Sequence, residues 1–538
     1  MINIDFISYK NNLKNLYNFL KSNIDFYKNF SKDKKLHKKL NKISEQKFKF
    51  KNKAKFIVDG HFFNFGYFFR LQLLRAATES YKGDELGLIS NYNQQRCKNF
   101  LKNTGISSIR KIPSFVPSDT LFEANKIYKK IKKSEDILEI RFPHNTPSKQ
   151  FYDYVLKKQM LASVNIEDEN IPYYIAEYIE SIRFAEKLIE DNNPQKIFMS
   201  HGISIQCTPL CWLASKKNID VFTLFGNFGV PRFLRFNNQK DINLGFDTAS
   251  KNDLEKLNNN QINLLHEVGK KYINKRLLGK TNDVGGQWAY DNELKDMNDF
   301  IKNKNGKPVI VIYTHCWFDC PHAFGMDRFR DFEDWVLTTY KSILENTNFI
   351  WLFRAHPGED WYGGITLKDI LPKDLPDHIF ILPKQLSGKS VMKIASGLIT
   401  YHGTSAIEYA SCGKPVIVAD KGWYHQADFV IYPKSRSDYV NLLSKNWFLD
   451  IDQEKIKRNA KIFAGLYFCC PTWQKRLIMP HDINQKEIKD IILDSLESKS
   501  DIISYEIQNI KKWIDSNALG YHIFNMLNAN EYSLSNTI

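Results

Sequence analysis

The chain has 538 residues, 43% of them hydrophobic and 14% aromatic, with 76 Lys and Arg against 60 Asp and Glu for a formal net charge of +16. At roughly 100–200 residues per domain this length excludes one small domain and points to two large units or three smaller ones, and the apolar content excludes disorder over most of the chain. Eight cysteines in a chain this long fit ordinary reduced thiols rather than a disulfide framework.

In chain order, residues 1 to 52 read as a basic helical arm, with Leu13, Leu16, Phe19 and Leu20 at helical spacing ahead of a run of lysines between Lys32 and Lys55. The positive surplus predicts attraction to something anionic, such as membrane lipid, nucleic acid or a charged substrate, or else simply a solvated face. No apolar h-region follows Met1, and no window approaches the ~18 uncharged apolar residues that a span requires. The expectation is a cytoplasmic protein that meets at most the inner face of the cytoplasmic membrane through its lysines.

An α/β pattern begins at Lys55-Phe56-Ile57-Val58-Asp59-Gly60, a short strand and turn followed by an amphipathic helix from Tyr67 to Ala77. Leu86 to Ser90 predicts a strand, Gln94 to Lys102 a helix ending near Gly105, and Ile109 a further strand. The stretch from about 118 to 190 is helix-rich, and Lys196 to Ser200 is a strand that ends at His201-Gly202. A helix from Leu210 to Lys217 leads to another strand over Asp220 to Phe225. Residues 236 to 300 are polar with few strand signals, and Asn303-Lys304-Asn305-Gly306-Lys307-Pro308 is the clearest linker. A second αβ series then starts at Val309, with strands at Phe349 to Phe353, Ile379 to Leu382, Gly397 to Thr400 and Pro415 to Ala419, and a helical tail from Asn484. Strands alternating with helices argue for parallel sheets. The organisation expected is a basic arm over 1–52, an N-terminal α/β unit with helical insertions over 53–300, and a C-terminal α/β unit over 306–483. Helices over 484–538 would pack back toward the first unit, and a cleft would separate the two halves.

Two polar clusters carry the chemistry, because open α/β sheets bind ligands outside the carboxyl ends of their strands. One strand ends in Arg354-Ala355-His356-Pro357, the other in Tyr401-His402-Gly403-Thr404-Ser405-Ala406-Ile407-Glu408. Arg354 offers a planar fork of donors, His356 can donate a hydrogen bond or carry charge, and Thr404 and Ser405 offer hydroxyls. Together they suit a leaving phosphate, whose growing charge they would stabilise without a metal, while Glu408 could accept bonds from ribose hydroxyls. The alternative is structural: Thr404 or Ser405 as a helix cap with Glu408 as its capping-box partner, and His-Pro as a strand terminator.

These segments, with Gly413-Lys414-Pro415-Val416-Ile417 after them, resemble the C-terminal domain of GT-B glycosyltransferases. More narrowly they are similar to capsule polysaccharide biosynthesis proteins of the Kdo-transferase kind and to bacterial sialyltransferases with His-Pro and Ser-Ser/Thr motifs. The resemblance implies two Rossmann-like domains and a nucleotide-sugar donor, CMP-Kdo or a similar CMP-sugar. It assigns nucleotide binding to Arg354, His356, Pro357, His402, Gly403, Thr404, Ser405 and Glu408, with His356, Thr404 and Ser405 on the phosphate. It implies an acceptor that is a capsule or other surface polysaccharide or a lipid-linked glycan, no cofactor and no nucleic-acid partner. The match covers roughly residues 349 to 420, and the Glu408 position is shared with transferases that use UDP- or GDP-sugars.

The reacting partner should come from the first unit. Asp59 stands where those sialyltransferases place an acidic residue before glycine, and either Asp59 or His61 could take a proton from an acceptor hydroxyl. Asp59 could instead act as a nucleophile, or be an Asx-turn residue ahead of Gly60. His201 is a candidate for acceptor contact, or a helix-start residue. His315-Cys316-Trp317-Phe318-Asp319-Cys320-Pro321-His322 packs metal-ligating residue types together, but structural zinc sites draw their pairs from two separated stretches, so a loop lining the cleft is the better reading; Asp450-Ile451-Asp452 is too isolated to hold a metal. Other readings of the chain are a polyol-phosphate transferase with a CDP-activated donor and a non-catalytic basic scaffold for membrane or nucleic acid.

Overall fold

Two runs of strands, each a block of β-branched and aromatic residues, build two separate sheets in the computed structural model. It describes residues 28–40, 43, 55–61, 65–80, 84–90, 94–224, 232–236, 249–282, 284–290, 306–359, 364–384, 386–469, 485–498 and 501–528. The first sheet contains β1 (Lys55–Asp59), β2 (Asp84–Ile89), β3 (Ser108–Lys111), β4 (Lys196–Met199), β5 (Asp220–Leu224) and β6 (Phe233–Phe236), in the spatial order β3-β2-β1-β4-β5-β6. All neighbours in it are parallel except β5 and β6. The second contains β7 (Val309–Tyr313), β8 (Ile350–Arg354), β9 (Ile379–Ile381), β10 (Gly397–Thr400) and β11 (Val416–Val418), ordered β11-β10-β7-β8-β9 and parallel throughout. In both sheets the chain winds outward from a central first strand, then returns to its other side. This is the Rossmann-type order, and the reversal beside the central strand opens a crevice at the strands' carboxyl ends.

Helices cover both faces, so the central strands are apolar along their whole length: Ile57, Val58, Ile197 and Phe198 in one sheet and Val309 to Ile312 in the other are buried. The strands expected from the sequence all form, within two residues of their expected limits. The strand that sequence patterning missed is β6, four residues long with a buried Arg235 in it. Tertiary partners hold it in place: the Arg235 backbone N–H donates to the Leu519 carbonyl (2.8 Å) and its guanidinium meets Asp220 (3.0 Å). Trp513, from the helix Ile502–Ser516, packs on Phe222 and Phe233 with ring centroids 5.5 and 6.0 Å away, so this helix covers the first sheet.

Of the basic arm, residues 1–27, 41–42 and 44–52 lie outside the described part. The helix over 28–40 is seated on the helix Gln94–Asn103. Asp33 accepts two bonds from Arg96 (both 2.7 Å), His37 stands edge-on to Phe100 at 5.2 Å, and Leu40 is buried. Among the described residues no helix is long and apolar enough to cross a membrane.

Between the sheets in sequence, the helix Asn259–Arg276 crosses the helix Gln453–Ala464 at unusually close range. A Cβ on Gly269 would lie 1.9 Å from the Lys461 carbonyl oxygen, and one on Gly465 only 2.0 Å from that of Leu265, so glycine is required at both points of the crossing. The contact delivers Arg276, at the end of its helix, to the second sheet.

Candidate functional site

A cavity of about 390 Å³ opens at the carboxyl ends of β7, β8 and β10, at the switch point of the second sheet. Parallel pairing puts Tyr313 beside Arg354 and Thr400, so the residues just after each of them converge. Arg354, His356, Pro357, His402, Gly403, Thr404, Ser405 and Glu408 all line this cavity. His356 and Ser405, from neighbouring segments, thus share one space.

Three imidazoles form the cavity's inner wall. His315, just beyond β7, lies near-parallel to His356 at 5.6 Å and tilted against His402 at 4.4 Å, with its other face stacked on Phe332 at 4.6 Å. Burial holds the His356 pKa down to about 4 and that of His402 down to about 3. Burial, and then its two imidazole neighbours, press His315 well below the ordinary value. Burial thus favours the neutral form of all three rings. The Gly358 N–H donates to His356 Nδ1 (3.1 Å), which leaves the ring proton on Nε2 as a donor. Nδ1 of His315 and Nε2 of His402 are buried without a hydrogen-bond partner among the described residues, a state that costs roughly 1–3 kcal/mol per group unless a ligand satisfies it.

The hydroxyls are uncommitted as well. Thr404 makes no capping bond at the start of the helix Ser405–Ser411, and neither Thr404 nor Ser405 has a side-chain hydrogen bond among the described residues. Glu408 is no capping-box partner: Arg276 Nε donates to it at 2.6 Å and the Tyr290 hydroxyl binds its other oxygen. Each oxygen keeps a further lone pair. Burial opposes the Arg276 charge, but the adjacent Glu408 outweighs that and the pKa is raised. Arg354 spends part of its fork inside the protein, on the Tyr313 hydroxyl (2.9 Å) and the Leu386 carbonyl (2.8 Å), and has no carboxylate partner among the described residues.

Asp59, His61 and His201 are not among the residues lining this cavity. Asp59 lies at the switch point of the first sheet, fully buried. Its carboxylate accepts from the His61 backbone N–H (2.8 Å), the Ser200 N–H (2.9 Å), the Ser200 hydroxyl and the Tyr67 hydroxyl (3.4 Å). These bonds tie the ends of β1 and β4 together, three of them on Oδ2 and one on Oδ1. Burial lowers the pKa of the neighbouring His61, and the exposed His201 stands edge-on to Tyr67 at 6.2 Å.

Sequence reasoning did not assign His315, Arg276, Tyr290, Tyr313, Tyr467 or Phe468 to the site. His315 had a signal, since it opens the His/Cys-rich loop expected in the cleft. Its companion His322 turns elsewhere, into a buried 2.6 Å contact with Asp153. Among the described residues no group of three or more His, Cys, Asp or Glu side chains is arranged to hold a metal.

No family model matches this chain, and no curated protein matches its sequence. Solved structures similar to it include the UDP complex of S. aureus MnaA (11% identity over 84% of this chain and 98% of that one, TM-score 0.26). A β-Kdo 2,4-transferase, KpsC of Thermosulfurimonas dismutans, is similar at 12% identity over 56% of this chain and 87% of its own (TM-score 0.34). CalG4, the calicheamicin glycosyltransferase, is similar at 11% identity over 77% and 96% (TM-score 0.24). Likenesses this distant specify no reaction, and the chemistry has to come from the cavity.

Proposed function

We propose that this protein is a GT-B-type glycosyltransferase that moves a sugar from a nucleotide donor, CMP-Kdo or a similar CMP-sugar, to a surface polysaccharide such as capsule or to a lipid-linked glycan. The observation that carries the reading is the convergence, at one switch point, of three imidazoles, two with a ring nitrogen unpartnered among the described residues, and two hydroxyls that make no side-chain bond among them. Such a set suits an oxyanion that gains charge as it leaves. The His356 Nε2–H and the Thr404 and Ser405 hydroxyls would bind the departing phosphate, and no metal is needed if they carry that charge. Glu408, held by Arg276 and Tyr290, would accept from the ribose.

Arg276 is neutralised by Glu408, while Arg354 has no carboxylate partner among the described residues and offers a cation to the phosphate. In this reading residues 306–483 hold the donor, residues 53–300 present the acceptor with His201 beside it, and the basic segment 1–52 leans on anionic lipid.

The test is to incubate the full chain with CMP-, UDP- and GDP-sugars and follow binding and nucleotide release. CMP binding together with a glycosidic bond in the product supports the proposal. A phosphodiester product identifies a polyol-phosphate transferase instead, and failure to bind any of the three nucleotides ends the enzymatic reading.

A further inference from the structure

A second, smaller chamber of about 200 Å³ adjoins the first, lined by Lys157, Met160, Cys316, Phe318, Asp319, His356 and Gly358. Two of these residues, Asp319 and His356, also line the larger cavity. Lys157 belongs to the helix Ser148–Gln159 and Met160 caps it, so this chamber is bounded by both halves of the chain, whereas the larger one is built around the second sheet. Asp319 sits in the loop after β7, where its backbone N–H is tied to the Cys316 carbonyl (3.1 Å). Its carboxylate, unlike that of Asp59, has no hydrogen-bond or ion-pair partner among the described residues.

We propose that Asp319 is the catalytic base, taking the proton of an acceptor hydroxyl held in the smaller chamber while the donor sugar reaches toward it from the larger. This rests on the glycosyl-transfer reading above. The step balances as follows: the acceptor O–H breaks and its proton passes to an Asp319 carboxylate oxygen as the acceptor oxygen bonds to the anomeric carbon. The anomeric carbon–phosphate oxygen bond breaks, and its electron pair leaves on the nucleotide phosphate beside His356.

The surroundings tune this carboxylate for the task. Burial raises its pKa, Lys157 opposes the rise and Asp153 adds to it. Lys157 and Asp153 face it from one helix and His356 from the loop after β8, while the thiols of Cys316 and Cys320 flank it on its own loop. Asp153 is itself met by His322 at 2.6 Å. A base whose pKa is raised is a better proton acceptor near neutral pH. It also places the acid limb of the rate profile above the ordinary carboxylate range.

The experiment compares full-length wild type, Asp319→Asn and Lys157→Met. CMP affinity is read by calorimetry, and CMP release from CMP-Kdo is followed with and without a panel of fluorophore-labelled monosaccharide glycosides as acceptor probes. Asp319→Asn should bind CMP at least as tightly as wild type, since it removes a negative charge near the phosphate, yet lose acceptor-dependent release by about 100-fold or more. Lys157→Met, whatever it does to acceptor affinity, should move the acid limb of kcat upward, because it removes the charge that opposes the rise in the Asp319 pKa. Acceptor-dependent turnover within about threefold of wild type in Asp319→Asn overturns the assignment, as does an acid limb that ignores Lys157. Loss of CMP affinity in Asp319→Asn would also overturn it, marking a donor-site role. Wild type that binds no CMP at all refutes instead the transfer reading on which the assignment rests.

Discussion

The two sheets wind in the same order, and each brings polar residues to the crevice beside its central strand, yet among the described residues the two crevices are bonded differently. In the first, the Asp59 carboxylate is held by donors from the ends of β1 and β4 and from the helix Phe65–Thr78. In the second, imidazoles and hydroxyls meet without partnering one another and enclose about 390 Å³. Strand order tells where a crevice will be. Whether it is a binding site depends on how completely its polar groups satisfy each other before any ligand arrives.

The largest effect expected from disturbing this contrast is at the one well-paired element of the open crevice. Arg276→Ala would leave Glu408 as an uncompensated buried charge, which costs about 3–5 kcal/mol of stability. Chemical denaturation measures it. A loss below about 1 kcal/mol would mean that Glu408 can reach water, and that the crevice is more open than the geometry implies.

Next comes the group that defines the contrast. His356→Ala removes a donor aimed at developing charge, and should lower kcat by about 10²–10³, or 2.7–4 kcal/mol in the barrier, while the melting temperature changes little. Its mirror in the first sheet is Ser200→Ala, which deletes one charge-assisted bond to Asp59 and should cost about 1.5–3 kcal/mol of stability with turnover nearly unchanged. If Ser200→Ala instead loses turnover while keeping its stability, the first crevice is catalytic and the comparison is reversed.

What the sequence disclosed follows the same division. The ends of β8 and β10 were legible because Phe353-Arg354-Ala355-His356-Pro357 and His402-Gly403-Thr404-Ser405 follow unbroken apolar strands, so placing them needs only local pattern and the carboxyl-end rule. The state of Asp59 was not legible. Its place at a strand end showed in Asp59-Gly60, but its bonding depends on Ser200, 141 residues away. The same holds for Arg276 and Glu408, separated by 132 residues: a basic residue in the last turn of a helix is ordinary, and no local signal marks it as a buried partner. β6 was hidden for a related reason, since a four-residue strand containing Arg235 becomes favourable only once Asp220 and the Leu519 carbonyl receive it.

The smallest effect tests whether the imidazoles are as dry as the open crevice requires. His402 has a pKa of about 3 in the folded chain, against an ordinary value of about 6.5 once unfolded. Because the folded value is depressed, the stabilising contribution is fully present above pH 6.5 and is lost as pH falls toward 3: the unfolded chain takes up a proton that the native crevice refuses. One such histidine steepens the loss of stability by up to about 1.4 kcal/mol per pH unit in that window. His402→Asn should therefore flatten the stability profile between pH 6 and 4 by close to one proton, measured from denaturation midpoints across pH. An unchanged slope would mean that this imidazole already protonates in the native state, and hence that the crevice admits charge before any nucleotide enters it.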